Sequence, residues 1–134
     1  VGDFWDELFI DYVDFEFCLR CRLAGISIVI LPNLCIKHSI GTPKAFHFFG
    51  RTFFTSSHSP VRRYYLFRNR IAIYKRYFFS APTWVFGDIS KSVKDMVKII
   101  LLESDSKNNL RLIAQGIRDG FISRLGKIQD KKNA

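Results

Sequence analysis

Apolar residues recur at helical spacing in some stretches of this chain and run together as β-branched blocks in others. The segment Phe15–Ala24 reads as a helix body, with Asp11 or Asp14 placed to cap it and Gly25 where a helix ends. Ile26–Leu31 (ISIVIL) is a β-branched block that stops at Pro32–Asn33, a turn, and Leu34–His38 is a second short strand. Residues 39–59, rich in Gly, Ser, Thr and Phe, read as a loop with one strand around Phe46–Phe54. Pro60 suits the first turn of a long helix that runs to about Phe79. On that helix Tyr64, Phe67, Ile71, Tyr74 and Phe78 form one apolar stripe, and Arg62, Arg63, Arg68, Arg70, Lys75 and Arg76 take the remaining faces.

After a break at Ser80–Thr83, two more helices are expected. Asp88 opens the first, with Ile89, Val93, Met96, Val97 and Ile100 on one side. Leu110, Ile113, Ala114, Ile117 and Phe121 line the second, and Lys127–Ala134 reads as a frayed end. Two strands do not make an independent sheet, so the pair at 26–38 reads as the edge of a larger one.

Composition narrows the class. At 134 residues, 48% hydrophobic and 25% charged, the chain has the size and content of one folded domain. No apolar run reaches the roughly 18–20 residues of a membrane-spanning helix; the longest, Leu23–Ile36, carries Pro32 and Asn33. Nothing at the N-terminus resembles a signal peptide, and Met96 is the single methionine, so the chain is expected to be a piece of something longer or to have been processed. Three cysteines cannot all pair with one another, and a reducing compartment is the default.

The net charge of +9 is unevenly placed. Val1–Glu16 holds six acids and no Lys or Arg, whereas Phe17–Gly87 holds eleven Lys or Arg and no acid. From Asp88 onward ten bases stand against six acids. An acid-free basic stretch of this length attracts phosphates, whether of nucleic acid, anionic lipid or a nucleotide.

Four constellations carry candidate chemistry. Asp11, Asp14 and Glu16 sit just before or within the first helix, where a carboxylate acts as a general base or metal ligand, or simply caps the helix. On spacing alone, capping is the simpler account. Cys18-x-x-Cys21 followed by Cys35-x-x-His38 has zinc-like pair spacing, yet a core strand lies between the pairs and free cysteines commonly pack in cores. His38 ends a strand in a loop with Gly41, a position from which an imidazole reaches a metal or a phosphate. The helix 62–79 reads as a nucleic-acid helix, a membrane-surface helix or a core helix with a basic rim.

Together these motifs resemble the C-terminal half of a bacterial family 2 glycosyltransferase of the rhamnosyltransferase-like branch. The resemblance is carried by FWDELFIDYVDFEFCLR at 4–20, Gly25, His38–Gly41, Tyr64, Tyr65, Arg68 and Asn69, the segment Gly116–Gly120, and Arg124–Lys127. It implies an α/β fold of the GT-A, Rossmann-like type, with one helix and two edge strands followed by a mainly helical region. The corresponding division is 1–59, the end of the catalytic domain, and 60–134, a basic helical region at a membrane. By position, Asp14 falls on the family's catalytic base. Val13 stands where many members have Glu, as this branch often does. Asp11, Glu16 and Arg20 support that base, His38 falls on a metal or diphosphate contact, and Tyr64, Tyr65, Arg68 and Asn69 fall in the region near a lipid-linked acceptor.

The implied reaction is an inverting transfer from a nucleotide sugar to a lipid-linked or polysaccharide acceptor, with rhamnose suggested by the branch. Asp14 takes the acceptor hydroxyl proton, and a divalent metal, Mg or Mn, offsets the leaving diphosphate in the complete enzyme. The nucleotide half lies outside this chain, so the chain alone is expected to be inactive and without bound metal. The expected location is the cytoplasmic face of the inner membrane, with no nucleic-acid partner. The alternative from the residues themselves is a stand-alone basic module that binds nucleic acid or anionic membrane, with zinc on Cys18, Cys21, Cys35 and His38.

Overall fold

The computed structural model describes residues 1–35, 43–48, 50–56, 58–102 and 105–128. In chain order the elements are a 3-10 turn at Asp6–Leu8, α1 (Val13–Leu23), β1 (Pro43–Phe48), β2 (Arg51–Ser56), α2 (Pro60–Tyr77), α3 (Pro82–Leu102) and α4 (Ser106–Phe121). Helices therefore dominate the described chain.

The long helix starts where the residues require. Ser59 Oγ accepts the Arg62 backbone N–H at 3.3 Å, and Pro60 occupies the first turn, where its missing N–H costs nothing. The next helix begins at Pro82, well ahead of Asp88, because Pro82 is equally suited to a first turn. Asp88 is thereby left inside the helix and faces inward. α1 starts at Val13 without a side-chain cap, so neither Asp11 nor Asp14 caps it; its N-cap residue is Tyr12, in the left-handed region.

Among the described residues the expected sheet edge does not form. Ile26–Leu31 is exposed along its length, Ile30 to 86%, and pairs with no strand among the described residues. A β-branched block becomes a strand only where a ladder partner takes its N–H and C=O groups. Pro32 and Asn33 do form the expected turn, with the Leu34 N–H donating to the Leu31 carbonyl at 3.1 Å. Leu34 and Cys35 are likewise unpaired, and Ile36–His38 lie outside the described residues.

The described sheet is instead an antiparallel hairpin of β1 and β2. Its register runs from Pro43 opposite Ser56 to Phe48 opposite Arg51. The reversal occurs where a single strand was expected, and Gly50 in the turn has φ +68°, which glycine adopts freely. A mainly helical chain with one short hairpin is not the α/β, Rossmann-like arrangement that the resemblance implied.

The centre of the molecule is α2. One apolar cluster joins Leu8, Tyr12 and Leu19 from the N-terminal region to Ala72, Ile73 and Tyr77 of α2 and Val85 of α3. A second joins Phe67, Ile99 and Ile113 from the three long helices. Because α2 is enclosed on several sides, it has no solvated basic rim over much of its length: Arg63, Arg68 and Arg70 are all buried. Phe78, expected in the apolar stripe, is partly exposed.

α4 lies along α2 through its smallest residues. Its buried face is Asn109, Ile113, Gly116, Asp119 and Gly120, whereas Ala114 and Phe121, expected to face the core, point outward. A β-carbon at Gly116 would stand 2.4 Å from the Tyr64 carbonyl oxygen, and one at Gly120 would stand 2.6 Å from that of Arg68. Gly116 against Tyr64 and Gly120 against Arg68 set the two helices parallel. Backbone on one side of the contact cannot yield as a flexible side chain would. Gly116→Ala and Gly120→Ala are therefore expected to lower unfolding free energy by about 1–3 kcal/mol each or more. Chemical denaturation followed by circular dichroism measures this, and unchanged stability would show that the helices do not touch there.

Candidate functional site

The acidic segment ahead of α1 folds into an unusual backbone. Phe9 has φ +63° and ψ −59°, and the Ile10 N–H donates to the Leu8 carbonyl across it at 2.8 Å. This is the γ-turn of the rare, strained kind. Asp11 and Tyr12 follow with φ +63° and +68°, so three non-glycine residues in this short stretch sit in the left-handed half of φ/ψ space. Such positions cost on the order of 1–3 kcal/mol each and persist only where the surroundings over-determine them.

Those surroundings are two neighbouring side chains of α2. Asn69, with no exposed surface, donates through Nδ2 to the carbonyls of Leu8, Ile10 and Asp11 at 2.9, 2.8 and 2.9 Å. Arg68, 1% exposed, donates to the carbonyls of Leu8 at 2.9 Å and Glu7 at 3.3 Å and to that of Gly126. Its Nε donates to Asn69 Oδ1 at 3.0 Å, which fixes the amide's orientation. The Gly126 N–H closes the ring by donating to the Glu7 carbonyl at 2.6 Å. Tyr64 and Tyr65 flank the guanidinium of Arg68 with their rings. The Tyr65 hydroxyl accepts the Ile128 N–H at 2.7 Å.

The acids themselves divide by environment. Asp11 accepts a forked hydrogen bond from Arg62, with Nη2 at 2.8 Å and Nε at 3.0 Å. Glu16 is fully buried; Arg20 Nε donates to it at 2.9 Å and the Tyr77 hydroxyl at 2.6 Å. Arg20 also holds the carbonyls of Val1 and Asp3, so Glu16 and Arg20 fasten the N-terminus to α1 and α1 to α2. Asp14 differs from both. It stands in the first turn of α1, exposed, with no hydrogen bond or ion pair among the described residues.

A second polar cluster ties the same loop to α3. The Tyr12 hydroxyl donates to Asp88 at 2.8 Å and receives Arg70 Nε. The Tyr74 hydroxyl donates to Asp88 at 2.7 Å, and Arg70 Nη2 reaches Asp95 at 3.1 Å. Tyr12, Phe15 and Trp84 pack ring against ring beside it, at 5.3–6.5 Å between centroids. His58, which the residue pattern did not single out, lies near this region; burial, reinforced by Arg62, holds its imidazole below the usual range.

The structure thus brings Arg68 and Asn69 onto the loop that carries Asp11, with the Tyr64 and Tyr65 rings against Arg68, whereas Glu16 and Arg20 pair with each other on α1 and Asp14 stands apart from both groups. Tyr64, Tyr65, Arg68 and Asn69, expected at a membrane, are buried and brace the acidic segment from behind. Sequence reasoning missed Arg62, Tyr12, Tyr77, Asp88 and Gly126 as their partners; the alternation of Arg and Tyr along α2 was the available signal. Cys18 is exposed and Cys21 buried on α1, Cys35 is exposed, and His38 lies outside the described residues. Among the described residues no group of His, Cys, Asp or Glu is placed to hold a metal ion.

An exposed carboxylate without a partner among the described residues, in the first helical turn after a braced loop, is suited to act as a general base, and it marks a candidate active site. The chain is similar to a dTDP-rhamnosyl transferase, RfbF, of Shigella flexneri, with 45% identity over 76 residues. The matched part is 57% of this chain and 25% of that protein, so the similarity spans about a quarter of the relative's length. No family model matches the chain, and no solved structure matches it.

The buried phenols make the site's stability depend on pH. Burial raises the Tyr64 and Tyr77 hydroxyls to about 12, and it raises those of Tyr12 and Tyr74 further. Hydrogen bonds to Asp119, Glu16 and Asp88 act in the same direction. In the unfolded chain all four ionise near pH 10, so their contribution to stability is complete below that value. It is lost as pH rises through 10 toward 12 and beyond. Urea midpoints are expected to stay level from about pH 7 to 9 and to fall above about pH 10, with more than one proton per molecule released on unfolding. A flat profile to pH 11 would contradict the buried phenol network.

Proposed function

We propose that this chain is the acceptor-activating part of an inverting rhamnosyltransferase, with Asp14 as the general base. The observation that carries the reading is the contrast among the acids: Asp11 and Glu16 are neutralised by Arg62, Arg20 and Tyr77, and Asp14 alone of the three is exposed and unpartnered. The partial similarity to a dTDP-rhamnosyl transferase supports dTDP-rhamnose as the donor and a glycan as the acceptor.

In this reading the acceptor hydroxyl approaches Asp14 from solvent. The carboxylate takes the proton as the oxygen attacks the anomeric carbon, and the nucleoside diphosphate leaves from the opposite face. The braced backbone from Phe9 to Tyr12 holds the first turn of α1 still, which keeps the carboxylate within hydrogen-bonding reach of the hydroxyl.

Asp14→Asn in the complete enzyme is expected to lower rhamnosyl transfer by about 10²–10⁴ or more. Its melting temperature should stay unchanged, since Asp14 has no partner to lose. Transfer at the unsubstituted rate would remove Asp14 from the role.

In this reading the surface that meets a membrane lies on α3, since the arginines and tyrosines of α2 are largely buried. Phe86, Val93, Val97 and Leu101 recur at helical spacing on the outer side of α3 and are exposed, and Lys91, Lys94 and Lys98 are exposed beside them. Apolar and cationic residues on one helix suit a surface of anionic lipid such as the inner leaflet. No described helix is long and apolar enough to cross a membrane. Flotation with phosphatidylglycerol vesicles is expected to recover the protein, and replacing the three lysines by Glu should abolish recovery. Equal recovery of both forms would rule out this face.

The alternative of a basic nucleic-acid module loses its main support, because Arg68 and Arg70 are buried and donate to partners inside the fold.

A further inference from the structure

Behind the braced loop, between α2, α4 and the segment that follows α4, lies a cavity of about 440 Å³. Its lining includes Tyr64, Arg68, Gln115, Asp119, Arg124 and Lys127. Asp119 is 3% exposed, and its two oxygens differ. Oδ2 accepts the Tyr64 hydroxyl at 2.8 Å, whereas Oδ1 is buried without any hydrogen-bond partner among the described residues. A buried carboxylate oxygen left without a donor is a group whose partner comes from elsewhere.

The charges around the cavity say what kind of donor fits. Arg68, Arg124 and Lys127 outnumber Asp119, so the surroundings repel an ammonium and favour a neutral hydroxyl on a ligand that is itself anionic. Arg68 directs its donors to the backbone and to Asn69, and it contributes field rather than contact. Arg124 and Lys127 are exposed at the rim and are placed to receive the anion. An arginine beside a lysine suits phosphate better than a lone carboxylate, since the guanidinium fork matches two phosphate oxygens.

We infer that this cavity binds a hydroxyl-bearing phosphate ester, a sugar phosphate or the phosphosugar headgroup of a lipid. A ligand hydroxyl donates to Asp119 Oδ1, and the phosphate lies between Arg124 and Lys127. The volume is ample for a monosaccharide and its phosphate. The site stands apart from Asp14, and its occupation does not depend on Asp14 acting as a base.

The test titrates the 134-residue chain with glucose 1-phosphate, glucose and inorganic phosphate, by calorimetry and by amide chemical shifts around α4. Vesicles of phosphatidylcholine with and without phosphatidylinositol form a second arm. Glucose 1-phosphate is expected to bind saturably and at least about tenfold more tightly than either half of it alone. Arg124→Ala with Lys127→Ala should weaken it by about tenfold or more without changing the fold, because both side chains are exposed. Asp119→Asn should erase the preference over inorganic phosphate; if that variant fails to fold, the rim double variant still decides. Binding confined to the phosphatidylinositol vesicles, and lost in the rim double variant, assigns the same chemistry to a lipid headgroup. Absence of binding in both arms overturns the inference, and so does equal affinity for inorganic phosphate and glucose 1-phosphate.

Discussion

The side-chain amide of Asn69, set against three carbonyls of one strained loop, is the interaction on which the rest of this structure turns. A chain that puts Phe9, Asp11 and Tyr12 at positive φ leaves its carbonyls pointing away from any regular ladder, and buried carbonyls need donors. Asn69 and Arg68 supply them from the middle of α2, where no water competes. Because those donors must lie at the centre of the helix, α2 is polar where an ordinary core helix is apolar. Its other neighbours then have to satisfy the remaining arginines and tyrosines. The closing contact from Gly126 brings the segment that follows α4 to the same loop, so the C-terminal part of the described chain meets the N-terminal part there.

This arrangement also accounts for the uneven charge along the chain. The eleven bases without an acid between Phe17 and Gly87 look like a surface made for phosphate. In the fold, several of them meet acids from outside that stretch: Arg62 meets Asp11, Arg20 meets Glu16, and Arg70 meets Asp88 and Asp95. Segregation along the sequence thus becomes complementarity across the fold. A buried pair of this kind adds little net stability when intact, but losing one partner strands a desolvated charge. The pattern therefore fixes which segments meet rather than how strongly the whole is held. It also leaves Asp14, exposed at the start of α1, as a carboxylate free to act on something else.

How much of this was legible depended on the range of each interaction. The span of α2 followed from Pro60 and the apolar spacing, because a helix start is a local event. The existence of α4 was equally local. Its buried face was not, since Gly116 and Gly120 are invisible to a hydrophobicity pattern and matter only when the backbone of α2 lies against them. Ile26–Leu31 had every local mark of a strand, yet a strand is a relation between two segments, and no described segment pairs with it. The start of α3 was misplaced because Asp88 is a good cap by composition, whereas Pro82 is a better beginning and Tyr12, Tyr74 and Arg70 claim the Asp88 carboxylate.

Residue pattern alone established a helical second half, a cluster of acids at the start of the first helix and a strongly basic middle; Asp14 as a candidate base came only from the family resemblance. These rest on spacing, capping and charge, which act over one or two helical turns. Folding decided what those residues do: that Tyr64, Tyr65, Arg68 and Asn69 brace a loop instead of facing a membrane, that Asp11 and Glu16 are bound while Asp14 has no partner among the described residues, and that Asp119, beside a cavity, keeps one buried oxygen without a hydrogen-bond partner among the described residues. The physical reason is that hydrogen-bond satisfaction and burial depend on groups separated by some sixty residues, as Asn69 is from Leu8, and only packing brings such groups together.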